Sequence, residues 1–496
     1  MEEKIINIKK ELGNSITLKG NNNSINFTKG QELAVKKILE FLAKPFDKAR
    51  FIAGLIGAGG VGKTFVIKYI LANCNYSASV VTCCSTTHKA CRVFSEALSH
   101  TKKVFTIQSV FGFRMDLKLE DFDPINPQFA PKASPKIEDT EVLIVDEASM
   151  IPASLVGYIK KTCLEKEIKI LFVGDADQLP PAKQLKSTAF EICFKKFILN
   201  EIVRQGIKNP ILGLLDMLRY DIENNTNRFI NYLSTHIGVL NYNENNEGYC
   251  ILKQADFTKL VINRFTNPEY AKNIDLYRMI TYTNDAVQAW NDFIRNNIVL
   301  DAKKNILTKH DLLMAYETVV DDYQSPIIIN SEEYIVNEIV NYVDNTYKFK
   351  GFNVRLQAIH GGQITTPLFI IDHTDRYTML KYHEVVSALI KDAKNSSIGV
   401  RSTKWKKYFD FKRKYLILKN IKNNFGTLLY SKDLDYGFAI TSHKSQGSTY
   451  NCVFVDCIDM IYDKQGIPYT ITSDLLKRLY VACSRAKTEL ILCYGR

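Results

Sequence analysis

At 496 residues the chain exceeds what one ordinary core fills, so two to four domains are expected. Hydrophobic residues make up 46% and charged residues 24%, globular proportions that exclude wholesale disorder, and no stretch approaches the run of about 18 apolar residues that a membrane span needs. Lysine and arginine total 65 against 53 acids, a net charge of +12 that favours a polyanionic partner, although a chain this rich in Asn, Lys, Ile and Tyr also reaches such a balance through gene composition alone.

The opening segment MEEKIINIKKELGN begins with acids and holds no uninterrupted apolar run, so residues 1–26 read as an extension and neither secretion nor membrane insertion is expected. The 11 cysteines are scattered along the chain, which suits small core residues in a reducing cytoplasm.

From residue 27 to about residue 205, amphipathic helical segments alternate with apolar runs at 51–56, 79–84, 142–145 and 168–173. That alternation predicts an α/β fold with a parallel sheet covered by helices on both faces. Directly after the first run stands GAGGVGKT, residues 57–64. A strand that ends in a glycine-rich turn and re-enters a helix points free N–H groups and the positive end of the helix dipole at its occupant, and phosphate fits. Gly57 and Gly62 permit the tight path, with Gly59 and Gly60 between them. Lys63 is the candidate for the β and γ phosphates, and Thr64 offers a hydroxyl to Mg²⁺. The same letters spell GxGxxG, but a dinucleotide site wants an acid about 20 residues on, where this chain has Thr82, Cys83 and Cys84. Cys83, Cys84, His88 and Cys91 invite a zinc reading, yet no second ligand pair follows at a finger spacing.

Residues 110–138 break the alternation with prolines and aromatics, and read as a hairpin or pin inserted on the sheet. Phe122 or Phe129 would be its stacking aromatic, unless those rings pack on their own domain. The run VLIV at 142–145 then ends in Asp146 and Glu147, at the carboxyl end of a buried strand, where parallel sheets hold their ligands. Asp146 is the candidate for Mg²⁺ and Glu147 for the attacking water. After the next apolar run, GDADQLPP presents Gln178, LNEIVRQ presents Arg204, and near the carboxyl terminus LYVACSRAK presents Arg485. Two arginines meeting one phosphate as a cleft closes would couple closure to hydrolysis.

Polar, Asn-rich sequence runs from 224 to 246, and a strand at 279–283 leads into a helix at 285–295. Residues 300–433 differ in character, with strand-like runs at 333–342, 353–358 and 368–372 and then RSTKWKKYFDFKRKYLILKNIK at 401–422. That basic and aromatic stretch suits a nucleic-acid channel and a helix with a buried aromatic stripe equally well. Strand-helix alternation returns at 437–441, 453–456 and 490–493, as a second parallel sheet interrupted by a long insertion.

Together these segments resemble the superfamily 1 helicases, more closely the 1B branch with its RecD-type, Pif-type and phage Dda-like enzymes, over most of residues 27–496. The resemblance implies two RecA-like parallel-sheet motor domains, residues 27–109 with 139–205 and residues 206–300 with 434–496. It also implies a pin-like insertion at 110–138 and an SH3-like β-barrel insertion with helices at 301–433. FTKGQ is similar to the family's adenine-contacting segment, with Gln31 as base reader, and SHKSQGSTY to the segment that links the track to the ATP cleft through Gln446 and Gly447. STTHKA and TIQSVFG resemble the first domain's strand contacts and TYTNDAVQAWN the second's. Thr87, His88, Lys89, Thr106, Thr283, Asn284, His443 and Lys444 are therefore candidates for the nucleic-acid track. The family frequently has His where Gln108 stands.

The implied protein is a monomeric ATP- and Mg²⁺-dependent DNA helicase. It would move 5′ to 3′ on single-stranded DNA, with fork junctions and single-strand-binding or replication proteins as partners, in a bacterial or phage-infected cytoplasm. A strand-stimulated ATPase that clamps without unwinding, and the motor subunit of a nuclease complex, remain alternatives.

Overall fold

The computed structural model describes residues 27–99, 101–115, 129–131, 135–181, 187–201, 209–321, 326–423 and 425–495. The amino-terminal extension, Phe122 and Arg204 lie outside the described residues.

Runs such as Val142–Val145, buried at every position, cannot be solvated on either face and so become inner strands of a covered sheet. Four mostly buried strands, flanked by two more exposed ones, form the first sheet, in the order Val104–Thr106, Val81–Ser85, Val142–Val145, Lys169–Gly174, Ile52–Gly57 and Lys195–Leu199, all parallel. One apolar layer lies on each face: Val35, Ile38, Ile67 and Ile70 on one, Val156, Ile159 and Phe190 on the other. Each such side chain contributes about 1.5–3 kcal/mol on burial. The two outer strands were not legible in the sequence. In Lys195–Leu199 only Phe197 and Leu199 are buried, so two lysines and an exposed Ile198 hide the strand.

The second sheet runs Ala439–Thr441, Tyr277–Thr281, Tyr450–Asp456, Ala486–Cys493, Gly248–Leu252 and Leu240–Tyr242, parallel except for the last. Between its strands the chain leaves to build a third, antiparallel sheet in the order Leu368–Ile371, Lys350–Ala358, Glu333–Val343, Leu312–Ala315 and Leu434–Tyr436. The last of these strands was expected in the second lobe. Its ladder to Leu312–Ala315 makes it part of the insertion's sheet instead.

Helices Arg376–Lys394 and Ile398–Lys414 pack beside that sheet. Trp405, Tyr408, Phe411 and Tyr415 recur at helical spacing and are buried against Phe349, Phe369 and Tyr382. The basic and aromatic stretch is thus a helix with an aromatic core face. At the base of the expected pin, Phe113–Met115 and Phe129–Pro131 pair as two short antiparallel strands. Among the described residues no helix is long and apolar enough to cross a membrane.

Candidate functional site

The glycine loop joins the strand Ile52–Gly57 to the helix Lys63–Asn73. Gly62 caps that helix at φ +82, and a Cβ there would stand 2.5 Å from the Gln31 amide nitrogen. Only glycine tolerates both the left-handed backbone and that approach. Gln31 belongs to a capping box with Thr28 at the start of the helix Lys29–Ala43, and its Nε2 donates to the Val61 carbonyl at 2.9 Å. The candidate base reader is thereby fastened to the phosphate loop. Lys63 Nζ donates to the carbonyls of Gly57 at 2.7 Å and Ala58 at 2.9 Å, so its ammonium stands over the loop. Gly59 is exposed, Gly60 takes φ +85, and Thr64 is half-buried in the first turn of the helix.

Asp146 and Glu147 leave the strand Val142–Val145 at its carboxyl end. Burial first, and the Glu147 charge second, push the Asp146 carboxyl up to about 7, with Lys63 pulling the opposite way. The loop lysine and the strand-end carboxylate therefore share one field. Glu147 has φ +52, a conformation that costs a non-glycine residue on the order of 1 kcal/mol and clusters at functional positions.

The second lobe meets these groups across a seam. A Cβ on Gly447, which has φ +74, would lie 3.7 Å from the Glu147 carboxylate. Gln446 Nε2 stands 3.4 Å from the Leu179 carbonyl and 3.5 Å from Gln178 Oε1. Arg485 is buried, its guanidinium donating to the carbonyls of Val481 at 3.0 Å and Ser448 at 3.2 Å, and to Ser484 Oγ at 2.8 Å. It is thus bonded to the residue that follows Gly447. Two contacts across the seam escaped the motif reading. Tyr480 donates to Asp175 Oδ2 at 3.0 Å, and Lys477 Nζ to the Ala176 carbonyl at 3.3 Å. Asp175 lies inside GDADQLPP and Tyr480 inside LYVACSRAK, but neither motif says that the two meet.

The candidates for the track have mixed surroundings. Thr87, Thr106 and Thr283 each cap a helix, their hydroxyls accepting from Ala90, Ser109 and Ala286. Thr283 also donates to Asp459 at 2.7 Å. His88 and Asn284 are exposed and His443 is half-buried. Lys444 Nζ donates to Asn330 at 3.0 Å and stands 3.9 Å from the Tyr316 ring centre. Lys89 corrects the sequence reading, because it is buried and ion-paired at 3.5 Å with Glu333 of the insertion instead of standing on an open face. The cysteines of the zinc reading are core residues: Cys83, Cys84 and Cys91 are buried, and burial pushes the Cys83 and Cys91 thiols up to about 12.

Two parallel-sheet lobes, with a glycine loop on one and a motif of the other reaching the carboxylates beside it, define a two-lobed α/β protein whose candidate site lies at the seam. Residues 47–184 match the family model of an AAA domain and residues 436–493 that of the UvrD-like helicase C-terminal domain. Among curated proteins it is similar to an uncharacterized protein of Acanthamoeba polyphaga mimivirus, 23% identical over 530 residues that cover 94% of this chain and 99% of the relative. It is also similar to an uncharacterized protein of Methanocaldococcus jannaschii, 23% identical over 486 residues covering 88% of this chain and 36% of that one. Among solved structures, Pif1 helicase from Candida albicans aligns over 95% of both chains with 16% identity and a TM-score of 0.47. Pif1 helicase from Bacteroides, in complex with ADP-AlF3 and ssDNA, aligns over 95% of this chain and 94% of its own with 14% identity and a TM-score of 0.48.

Proposed function

We propose that the protein is an ATP-driven DNA helicase that moves 5′ to 3′ along single-stranded DNA and opens duplex at forks. The observation that carries this reading is the reach of Gln446 and Gly447 from the second lobe to Gln178 and Glu147 of the first. A nucleotide held there touches both lobes, so its hydrolysis changes how they sit together. The polarity rests on the family resemblance alone.

Within that reading, Gln31 holds the base, the loop N–H groups and Lys63 hold the phosphates, and Glu147 orients a water in line with the γ-phosphorus and accepts its proton. The new P–O bond forms from that water as the bond to the β-phosphate oxygen breaks, releasing ADP and phosphate. Burial and the neighbouring Glu147 charge leave the Asp146 carboxyl short of positive charge, which a divalent cation would provide, and Thr64 with Asp146 would hold Mg²⁺, which would supply positive charge beside the phosphate oxygens. Arg204 and Arg485 complete the closed site. Thr87, His88, Thr283, Asn284, His443 and Lys444, with the Thr106 segment, form a sequence-blind track for the phosphate backbone. Opening a base-pair step works against about 1.4 kcal/mol of stacking, which a pin in 110–138 offsets by holding the strands apart.

Forks with a single 5′ or 3′ overhang test the proposal in one assay. Strand separation with ATP from the 5′ overhang alone is expected. Separation from the 3′ overhang would reverse the polarity. Strand-stimulated hydrolysis with neither fork opened would replace the helicase by a clamp.

A further inference from the structure

The helix Ser473–Cys483 belongs to the second lobe, yet it carries two of the bonds that cross the seam. Lys477 and Tyr480 lie three residues apart on one face, and both reach the loop after the strand Lys169–Gly174 of the first lobe. The Tyr480 bond is the more specific of the two. Its hydroxyl ends on Asp175 Oδ2, the same oxygen that stands 3.5 Å from the Gln178 amide nitrogen. The other oxygen of Asp175 accepts the Asp177 N–H at 3.0 Å and fixes the carboxylate's rotation. Gln178, in turn, faces Gln446 across the seam. The result is a chain of four side chains, Tyr480, Asp175, Gln178 and Gln446, with its two ends on the second lobe and its two middle members on the first.

Tyr480, Asp175 and Gln178 are all buried, so an unmade bond among them is not replaced by water at low cost. Burial, and then the Asp175 charge, push the Tyr480 phenol well above its ordinary value of 10.0, which keeps it a donor at any working pH. The same helix ends at Cys483, two residues before Arg485, so displacement of the helix moves Tyr480 and the arginine together.

We propose that Tyr480 is a positioning residue for the nucleotide site: its hydroxyl, carried by the second lobe, holds the Asp175 carboxylate where it receives the Gln178 amide. The attitude of the second lobe is then read at the γ-phosphate through one shared oxygen. When the lobes part, Asp175 loses the phenol and Gln178 loses its orientation. The inference rests on the ATPase reading of Gln178.

The test uses the full chain, steady-state hydrolysis with and without a poly(dT) oligonucleotide, and the variants Tyr480→Phe, Asp175→Asn and the two combined. Each single variant is expected to lower the strand-stimulated kcat about tenfold with KM for ATP within about twofold, the loss of one hydrogen bond to a charged group. The double variant is expected to fall no further than the weaker single one, because both changes remove the same link. General loosening of the seam would instead give losses that multiply, and such multiplication overturns the proposal. So does a Tyr480→Phe protein with unaltered kcat, or a loss confined to KM. Asp175→Asn keeps the shape of its side chain and tests the link from the first lobe, so the result stands on either single variant that folds. A wild-type chain without strand-stimulated hydrolysis would overturn the functional reading and this inference with it. Normal wild-type hydrolysis with an indifferent Tyr480→Phe would overturn the inference alone.

Discussion

Lys89 of the first lobe and Glu333 of the insertion form a buried ion pair at 3.5 Å, and Glu333 is also paired with the fully buried Arg278 of the second lobe. One carboxylate therefore joins all three modules. Burial alone would raise it, but Arg278 and then Lys89 hold it below the ordinary carboxylate value. Beside it, Arg92 pairs with Glu332.

Glu333→Gln should destabilise the protein by about 3–5 kcal/mol, because it leaves two buried cations sharing a neutral amide. Urea denaturation followed by fluorescence measures the loss. A midpoint equal to wild type would mean that the three modules are held together by other contacts.

Lys63→Ala should lower kcat by about 10² to 10³ while leaving poly(dT) binding intact, since the ammonium stands over the carbonyls of the glycine loop and, among the described residues, bonds to no residue of the proposed track. Hydrolysis and fluorescence anisotropy on the same preparation separate the two effects. Retained strand-stimulated turnover contradicts the assignment of the phosphate loop.

Arg485→Ala should bind ATP with near-normal affinity and hydrolyse it about 10³-fold more slowly. Its guanidinium links the end of the helix Ser473–Cys483 to the Ser448 carbonyl, so the melting temperature must be followed alongside the rate. An unaltered rate in a folded variant removes Arg485 from the chemistry.

The parts of this site that the sequence disclosed are the ones whose physics is local. GAGGVGKT needs only its own backbone to turn from strand into helix, and Asp146 and Glu147 stand where a buried strand must end. Tyr480 and Asp175 are 305 residues apart, and nothing in either neighbourhood announces the other. Lys89 misled for a related reason. Its segment has the letters of a strand contact, but the acid that neutralises it arrives on an insertion whose docking no local pattern encodes. Trp405, Tyr408, Phe411 and Tyr415 were legible in principle, because their spacing at 3, 3 and 4 residues marks a core face regardless of the lysines between them. Net charge said only that a polyanion was favoured, and gave no hint of where.

Lys444 should make strand binding depend on pH. Its amine is flanked by Lys432, and both ammonium groups stand 3.9 Å from the centre of the Tyr316 ring. Burial first, and Lys432 second, lower the Lys444 amine from 10.5 to about 7, with Glu317 opposing. Between about 7 and 10.5 the folded chain leaves this amine neutral while the unfolded chain protonates it, so the unfolded state binds more protons and stability rises with pH across that window. Binding runs the other way. A backbone phosphate beside the amine favours the charged form, so the complex takes up a proton, and affinity weakens as pH rises above about 7. Anisotropy titrations of poly(dT) at constant ionic strength, from about pH 6 to about pH 9, should therefore show a falling affinity in the wild type. Lys444→Arg keeps its charge throughout and should flatten the upper part of that curve. Equal slopes in the two proteins would take Lys444 off the track and leave the pair of lysines on Tyr316 as a joint between the insertion and the second lobe.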